Sequence, residues 1–181
     1  MDNPEKFQRE AEKYIYEQQN KHYGILSLSK RWNGILLWSH YSDSHKGFCV
    51  GFWTKKLWET GLFGKAGLVK YDIELPEIKP TVAKDKRSVT KKAFIQTHTK
   101  SEDWTYEEEF RFLNVYFPHE PKPFERIIQV PDSVFSDVTI GINTSDADKD
   151  EIIEVCKRKR IPVYQAIKKD FMFDIDRKLI K

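Results

Sequence analysis

The chain has 181 residues, of which 39% are hydrophobic, 33% charged and 14% aromatic; it is long enough to bury about 70% of its unfolded surface, and too aromatic for a disordered tract. Its 31 basic and 28 acidic residues leave a formal net charge of +3, which excludes a general polycationic binder of nucleic acid. Its two cysteines, Cys49 and Cys156, form no CxxC, and no apolar run approaches the roughly 20 residues of a membrane span, so a disulfide framework is excluded and a cytoplasmic protein without a membrane partner is expected.

Residues 4–19 are rich in Glu, Lys and Gln, with Phe7, Ala11, Tyr14 and Ile15 at helical spacing, and predict an amphipathic helix. Residues 25–29 alternate as a half-buried strand, with Leu26 and Leu28 on one face and Ser27 and Ser29 on the other. Residues 34–41 are apolar and aromatic and end in Trp38-Ser39-His40-Tyr41. A short turn over 42–46 leads to a buried strand over 47–53, residues 55–60 make a helical turn, and 61–67 read as a loop. Residues 67–75 predict another strand, stopped by Pro76 and Pro80.

The stretch 81–99 lacks proline and glycine, carries a thin stripe of Val82, Val89, Ala93 and Phe94, and predicts the longest helix. Density of aromatic and branched residues predicts strands over 105–117, 125–130 and 138–142. Ser145 or Asp146 can cap a helix running to about Arg160, followed by strands over 162–167 and 171–175. The expected fold class is α+β, with a mixed, mostly antiparallel sheet, flanking helices and a carboxy-terminal β-α-β unit. No repeat or linker divides the chain, so one domain over 1–181 is expected.

Two clusters carry the distinctive polar chemistry. Alternation along the strand over 105–117 puts Glu107, Glu109 and Arg111 on one face, at the rim of the core. Neighbouring carboxylates raise each other's pKa and an arginine lowers it, which can poise one of them as a base or cation stabiliser; equally, Arg111 can simply neutralise Glu109. In the first cluster a serine, an imidazole and a phenol stand in sequence at Ser39, His40 and Tyr41, which suits a sugar or nucleotide. His40 and His45 lack the i, i+4 spacing of a zinc motif, so no metal is expected. GxGxxG, GxxxxGK[ST], GxSxG and HExxH are absent. Lys84, Lys86, Arg87, Lys91 and Lys92, and Lys157 to Arg160, could meet phosphate or form solvated helix faces.

Together, Leu37-Trp38-Ser39-His40-Tyr41, His45-Lys46-Gly47-Phe48-Cys49-Val50-Gly51-Phe52 and Trp104-Thr105-Tyr106-Glu107-Glu108-Glu109-Phe110-Arg111, with the serine strand before them, resemble a bacterial domain-of-unknown-function family, DUF2971. The resemblance runs from about Gly24 to the end. It implies that a Tyr-Arg strand and an Asn-Asp-Pro-Phe-type segment of the family are absent here, with Asp2-Asn3-Pro4 at best a vestige. A serine strand, an aromatic segment and an ExE strand also resemble the ordering in ADP-ribosyltransferases. By that analogy NAD is the substrate and Glu109 is catalytic, with Glu107 orienting the acceptor. The same analogy implies a cofactor pocket lined by Ser27, Ser29, His40, Tyr41 and Arg111, and a toxin or defence effector acting on a protein or nucleic-acid target. The alternative is a non-catalytic nucleic-acid or nucleotide binding module using the Lys84 to Lys92 helix.

Overall fold

The computed structural model of the chain describes residues 4–77 and 85–180. In chain order its elements are α1 (Pro4–His22), β1 (Tyr23–Ser29), α2 (Ile35–Tyr41), β2 (Phe48–Phe52), α3 (Thr54–Glu59), β3 (Lys65–Leu68), β4 (Lys70–Asp72), α4 (Lys86–Thr97), β5 (Thr99–Ser101), β6 (Glu109–Val115), β7 (Phe135–Ile140), α5 (Asp146–Lys159), β8 (Val163–Lys168) and β9 (Ile175–Leu179). Short 3-10 helices span Glu102–Glu107, Pro123–Arg126 and Asp132–Val134. This is an α+β protein with mixed, mostly antiparallel sheets. It divides into two compact units: Met1–Leu28, Leu62–Trp104 and Glu109–Gln129 form the first, and Ser29–Gly61, Thr105–Glu108 and Val130–Lys181 the second.

In the first unit the strand order is β1-β6-β3, and β3 runs antiparallel to β6 with Gly67 opposite Arg111. Ala93 of α4 packs with Leu113 and Val115 of β6, and Phe94 lies so close to β3 that a Cβ on Gly67 would sit 2.7 Å from its ring. β1 alternates as its sequence requires, with Leu26 and Leu28 inward and Ser27 and Ser29 exposed. The apolar residues of α1 behave differently: Tyr14 and Ile15 are more than half exposed. The side chain of Phe7, and the stretch 81–84 with Val82 and Lys84, lie outside the described residues.

Three expectations for this unit are corrected. The stretch 67–75 is two strands, because Val69 donates to Glu109 O while Lys70 donates to His98 O; β4 then pairs in parallel with β5, leaving Ile73 and Leu75 exposed. α4 starts at Lys86, where the Asp85 carboxylate accepts from the Ser88 amide at 2.8 Å, and α1, not α4, is the longest described helix. Residues 125–130 form no strand. Pro123 opens a 3-10 turn that aims the Arg126 guanidinium at carbonyls ending α1 (Asn20 O at 3.1 Å, Lys21 O) and at Tyr23 O, 3.2 Å away.

The second unit holds the sheet β2-β7-β8-β9. β7 and β8 are parallel and joined through α5, the β-α-β unit that the sequence implies. Ser145 caps α5 by accepting from the Asp148 amide, and Arg160 ends it in the left-handed region. Val138, Ile140, Cys156 and Val163 form its core. Ile140 and Val163 are fully buried, each contributing about 1.5–3 kcal/mol by removal from water. The last strand is Ile175–Leu179 instead of 171–175: Phe171 has φ +57° and makes a turn, and Asp174 Oδ1 accepts from the Ile175 amide at 2.8 Å.

Candidate ligand pocket and the two aromatic clusters

Residues 35–41 fold as α2, which turns Trp38 into the core, where its indole donates to Trp32 O at 2.7 Å. Tyr41, three residues on, follows it on the same side of the helix. Its phenol donates to Glu107 Oε1 at 2.7 Å. Ser39 and His40 are exposed, with the His40 ring 6.3 Å from Tyr106.

Beside α2 lies a cavity of about 180 Å³ lined by Ser29, Arg31, Trp32, Leu37, Trp38, Tyr41, Ser42, Phe48 and Cys49. Of the expected ligand-binding residues it brings together Ser29 and Tyr41, and through Tyr41 it connects to Glu107. The Ser29 hydroxyl accepts from the Arg31 amide at 2.9 Å and donates to Arg31 O at 3.0 Å, a turn that directs the chain out of β1. The Arg31 guanidinium reaches Glu108 Oε1 at 3.5 Å, a half-exposed pair worth little in stability. Arg177 lies over the Trp32 and Tyr164 rings at 4.6 and 4.1 Å and donates to Asp137 at 2.7 Å and Thr139 at 2.9 Å, which fixes Trp32. Burial pushes the Cys49 thiol above its ordinary value, Asp137 adds to this and Arg177 opposes it, so the thiol stays protonated.

The turn after α2 is strained. Asp43, Ser44 and His45 have φ of 45°, 56° and 68°, a left-handed run that non-glycine residues disfavour. The amides of Lys46 and Gly47 donate to Ser42 O at 2.8 and 2.9 Å, and that of His45 to Trp38 O at 3.2 Å, which holds it in place. The His45 ring stacks parallel to Trp38 at 6.2 Å; its Nε2 lies 3.4 Å from Ser39 Oγ, and its buried Nδ1 has no hydrogen-bond partner.

The second cluster does not keep its strand alternation. Glu107 ends the 3-10 helix Glu102–Glu107, Glu108 adopts φ +46°, and β6 begins only at Glu109. Glu107 is therefore off the strand and in the second unit, whereas Glu109 and Arg111 share a face of β6 in the first. Glu109, 6% exposed, accepts from Arg111 through both oxygens at 2.7 and 2.8 Å and from Lys100 at 2.8 Å. Its amide donates to the Tyr71 hydroxyl at 2.8 Å. Arg111 also donates to Thr97 O. Ser27 lies on the exposed face of β1 in the first unit.

The geometry adds residues that sequence reading passed over. Arg31 and Trp32 follow the serine strand after Lys30, and a cation beside an indole is legible in the sequence. Lys100 and Arg177 sit among ordinary surface charges, and only pairing across strands marks them.

Both aromatic clusters fall inside one recognisable stretch. Residues 37–112 match the model of DUF2971, a protein of unknown function. The DUF2971 match spans α2, the strained turn and both Glu107 and Glu109. It is shorter than the stretch from Gly24 to the carboxy terminus that the sequence resemblance implied, and it leaves out Ser27, Ser29 and the β-α-β unit. No curated protein and no solved structure matches the chain. Among the described residues no helix is long and apolar enough to cross a membrane, and no group of three or more His, Cys, Asp or Glu is placed to hold a metal ion.

Proposed function

We propose that the second unit binds a nucleotide-type ligand, NAD included, by its nicotinamide or base ring and adjoining ribose: the cavity beside α2, about 180 Å³, takes that part of the ligand and leaves the rest outside. The observation that carries this reading is the convergence of Arg31, Trp32 and Tyr41 on one small cavity, with Glu107 orienting the Tyr41 phenol. A guanidinium attracts phosphate, aromatic walls accept a base or nicotinamide ring, and phenol and serine oxygens suit ribose hydroxyls.

Transfer of ADP-ribose is the enzymatic extension of the same reading. There the bond from ribose to nicotinamide breaks, its electron pair leaves with nicotinamide, and negative charge close to the ribose stabilises the developing cation. Of the two carboxylates, Glu107 is the one joined to the cavity, through Tyr41; Glu109 is neutralised by Arg111 and Lys100 and acts as the anchor of that ion cluster.

Calorimetric titration with NAD, ADP-ribose and AMP tests the binding. Micromolar affinity lost in Trp32→Ala and Arg31→Ala is the expected result, and no heat with any of the three ligands sinks the proposal. Nicotinamide release, absent in Glu107→Gln and kept by an adequately folded Glu109→Gln, tests the extension.

A nucleic-acid reading rests on a separate observation, the exposure of Lys86, Arg87 and Lys91 on α4. Binding of single-stranded DNA or RNA that falls steeply with salt and weakens in Lys86→Glu/Lys91→Glu would favour it.

A further inference from the structure

The turn between β8 and β9 presents an aromatic tip. Phe171 and Phe173 are fully exposed and Met172 is 59% exposed, although three neighbouring apolar side chains at a hairpin tip have a strong drive to leave water. The tip is a built turn. Lys169 donates from its amide to Asp174 O at 3.1 Å and reaches the Asp174 carboxylate at 3.5 Å, and Asn33 holds the same carboxylate at 3.3 Å.

The same unit carries an apolar groove of about 680 Å³ between α5 and the strands β2 and β7. Val50, Phe135, Val138, Ile152, Val155 and Ile161 make its walls, a volume in the range of sites that enclose a whole ligand or an inserted side-chain cluster. Charges stand at the rim: Asp148 and Glu151 from α5, Lys46 from the strained turn, and the Lys159–Asp132 pair, closed at 2.6 Å. Lys168 precedes the tip and is exposed, and the rim carboxylates of Asp148 and Glu151 are its electrostatic complement, whereas the rim cations Lys46 and Lys159 already pair with Asp43 and Asp132.

We infer that the Phe171-Met172-Phe173 tip of one molecule seats in the α5 groove of a second copy of this chain. The tip does not occupy the groove of its own unit, because its phenyl rings are fully exposed. A contact of this kind joins different surfaces of the two molecules, so it forms either a reciprocal pair or a head-to-tail series. Two phenyl rings and a thioether bury less than a standard interface, so the association is weak and concentration-dependent.

Sedimentation velocity of the full chain from low to high micromolar concentration tests this. The expected result is a mass that rises with concentration, with Phe171→Ser/Phe173→Ser and, separately, Val155→Asp weakening association roughly tenfold or more. Both changes are at solvent-accessible positions, and an unchanged circular dichroism spectrum and melting temperature verify that each variant folds. Mixing the two variants restores one tip-in-groove contact, and with it a heterodimer that neither variant forms with itself, because one keeps its groove and the other its tip. A wild-type chain that stays monomeric throughout overturns the inference, as does association that persists undiminished in the double Phe variant. Saturation of the groove by a fatty-acid probe in a chain that never self-associates also overturns it, and assigns the groove to a small ligand.

Discussion

The Tyr41 hydroxyl donates to Glu107 Oε1 at 2.7 Å, joining a residue that is 66% exposed to one that is 3% exposed. A buried carboxylate costs free energy for every donor it loses, and this donor comes from the cavity side. Tyr41→Phe is therefore expected to lower stability by about 1–2 kcal/mol, read from urea denaturation, and to weaken binding of NAD or AMP in the same samples. Undiminished stability would mean that the bond contributes nothing to the fold.

Glu109 is the anchor of a different arrangement. Removing its charge leaves Arg111 and Lys100 facing each other in a partly buried site, and taking one partner out of such a cluster costs about 3 kcal/mol. Glu109→Gln should show that loss in urea denaturation, whereas Glu109→Gln/Lys100→Met should recover part of it by restoring charge balance. A melting temperature indistinguishable from wild type in the single variant would contradict the structural role.

His98 is buried, with its ring stacked on Phe94 at 3.8 Å and its Nε2 3.2 Å from Arg111 O. Burial pushes its pKa below the ordinary 6.5 and the Arg111 and Lys65 cations add to this, while hydrogen bonds to the Arg111 and Phe94 carbonyls work the other way. The unfolded chain then binds more protons than the folded one at pH values between the depressed pKa and 6.5, so stability rises with pH through that window and falls as pH drops below 6.5. Denaturation midpoints at several pH values will display this slope, and His98→Gln should flatten it.

Ser44 has φ +56° and is exposed, and its carbonyl accepts from Asn143 at 3.0 Å, a bond that needs no side chain. Ser44→Gly removes the steric cost of the left-handed conformation and should raise stability by up to about 1 kcal/mol, less the chain entropy that glycine adds to the unfolded state. Thermal denaturation measures the sign directly. A loss would mean that the turn is not held in this conformation in solution.

Much of the local structure is legible in the sequence. The alternation of Leu26 and Leu28 against Ser27 and Ser29 is a property of strand geometry and holds. Ser145 with the periodic stretch behind it specified α5 and the crossover between β7 and β8, because a cap and a helical stripe act over a few residues. The second cluster shows where this reasoning ends. Counting by twos from Glu109 reaches Glu107 only if the backbone stays extended, and the left-handed Glu108 between them breaks the count. Nothing local in Glu107-Glu108-Glu109 distinguishes an extended run from a 3-10 turn.

What the sequence by itself determined is what depends on near neighbours: the α+β class, the elements α1, β1, β2, α3, α5 and β8, the cap on α5 and the chemistry present in the two aromatic clusters. What only the tertiary structure decided is which of those groups face one another. Tyr41 and Glu107 are 66 residues apart, and Lys100 and Glu109 lie on different strands. The first pairing depends on how α2 packs against the 3-10 helix that ends at Glu107, the second on where the chain changes strand partner, as at Val69 and Lys70, and both are set by burial and hydrogen bonding summed over a whole unit.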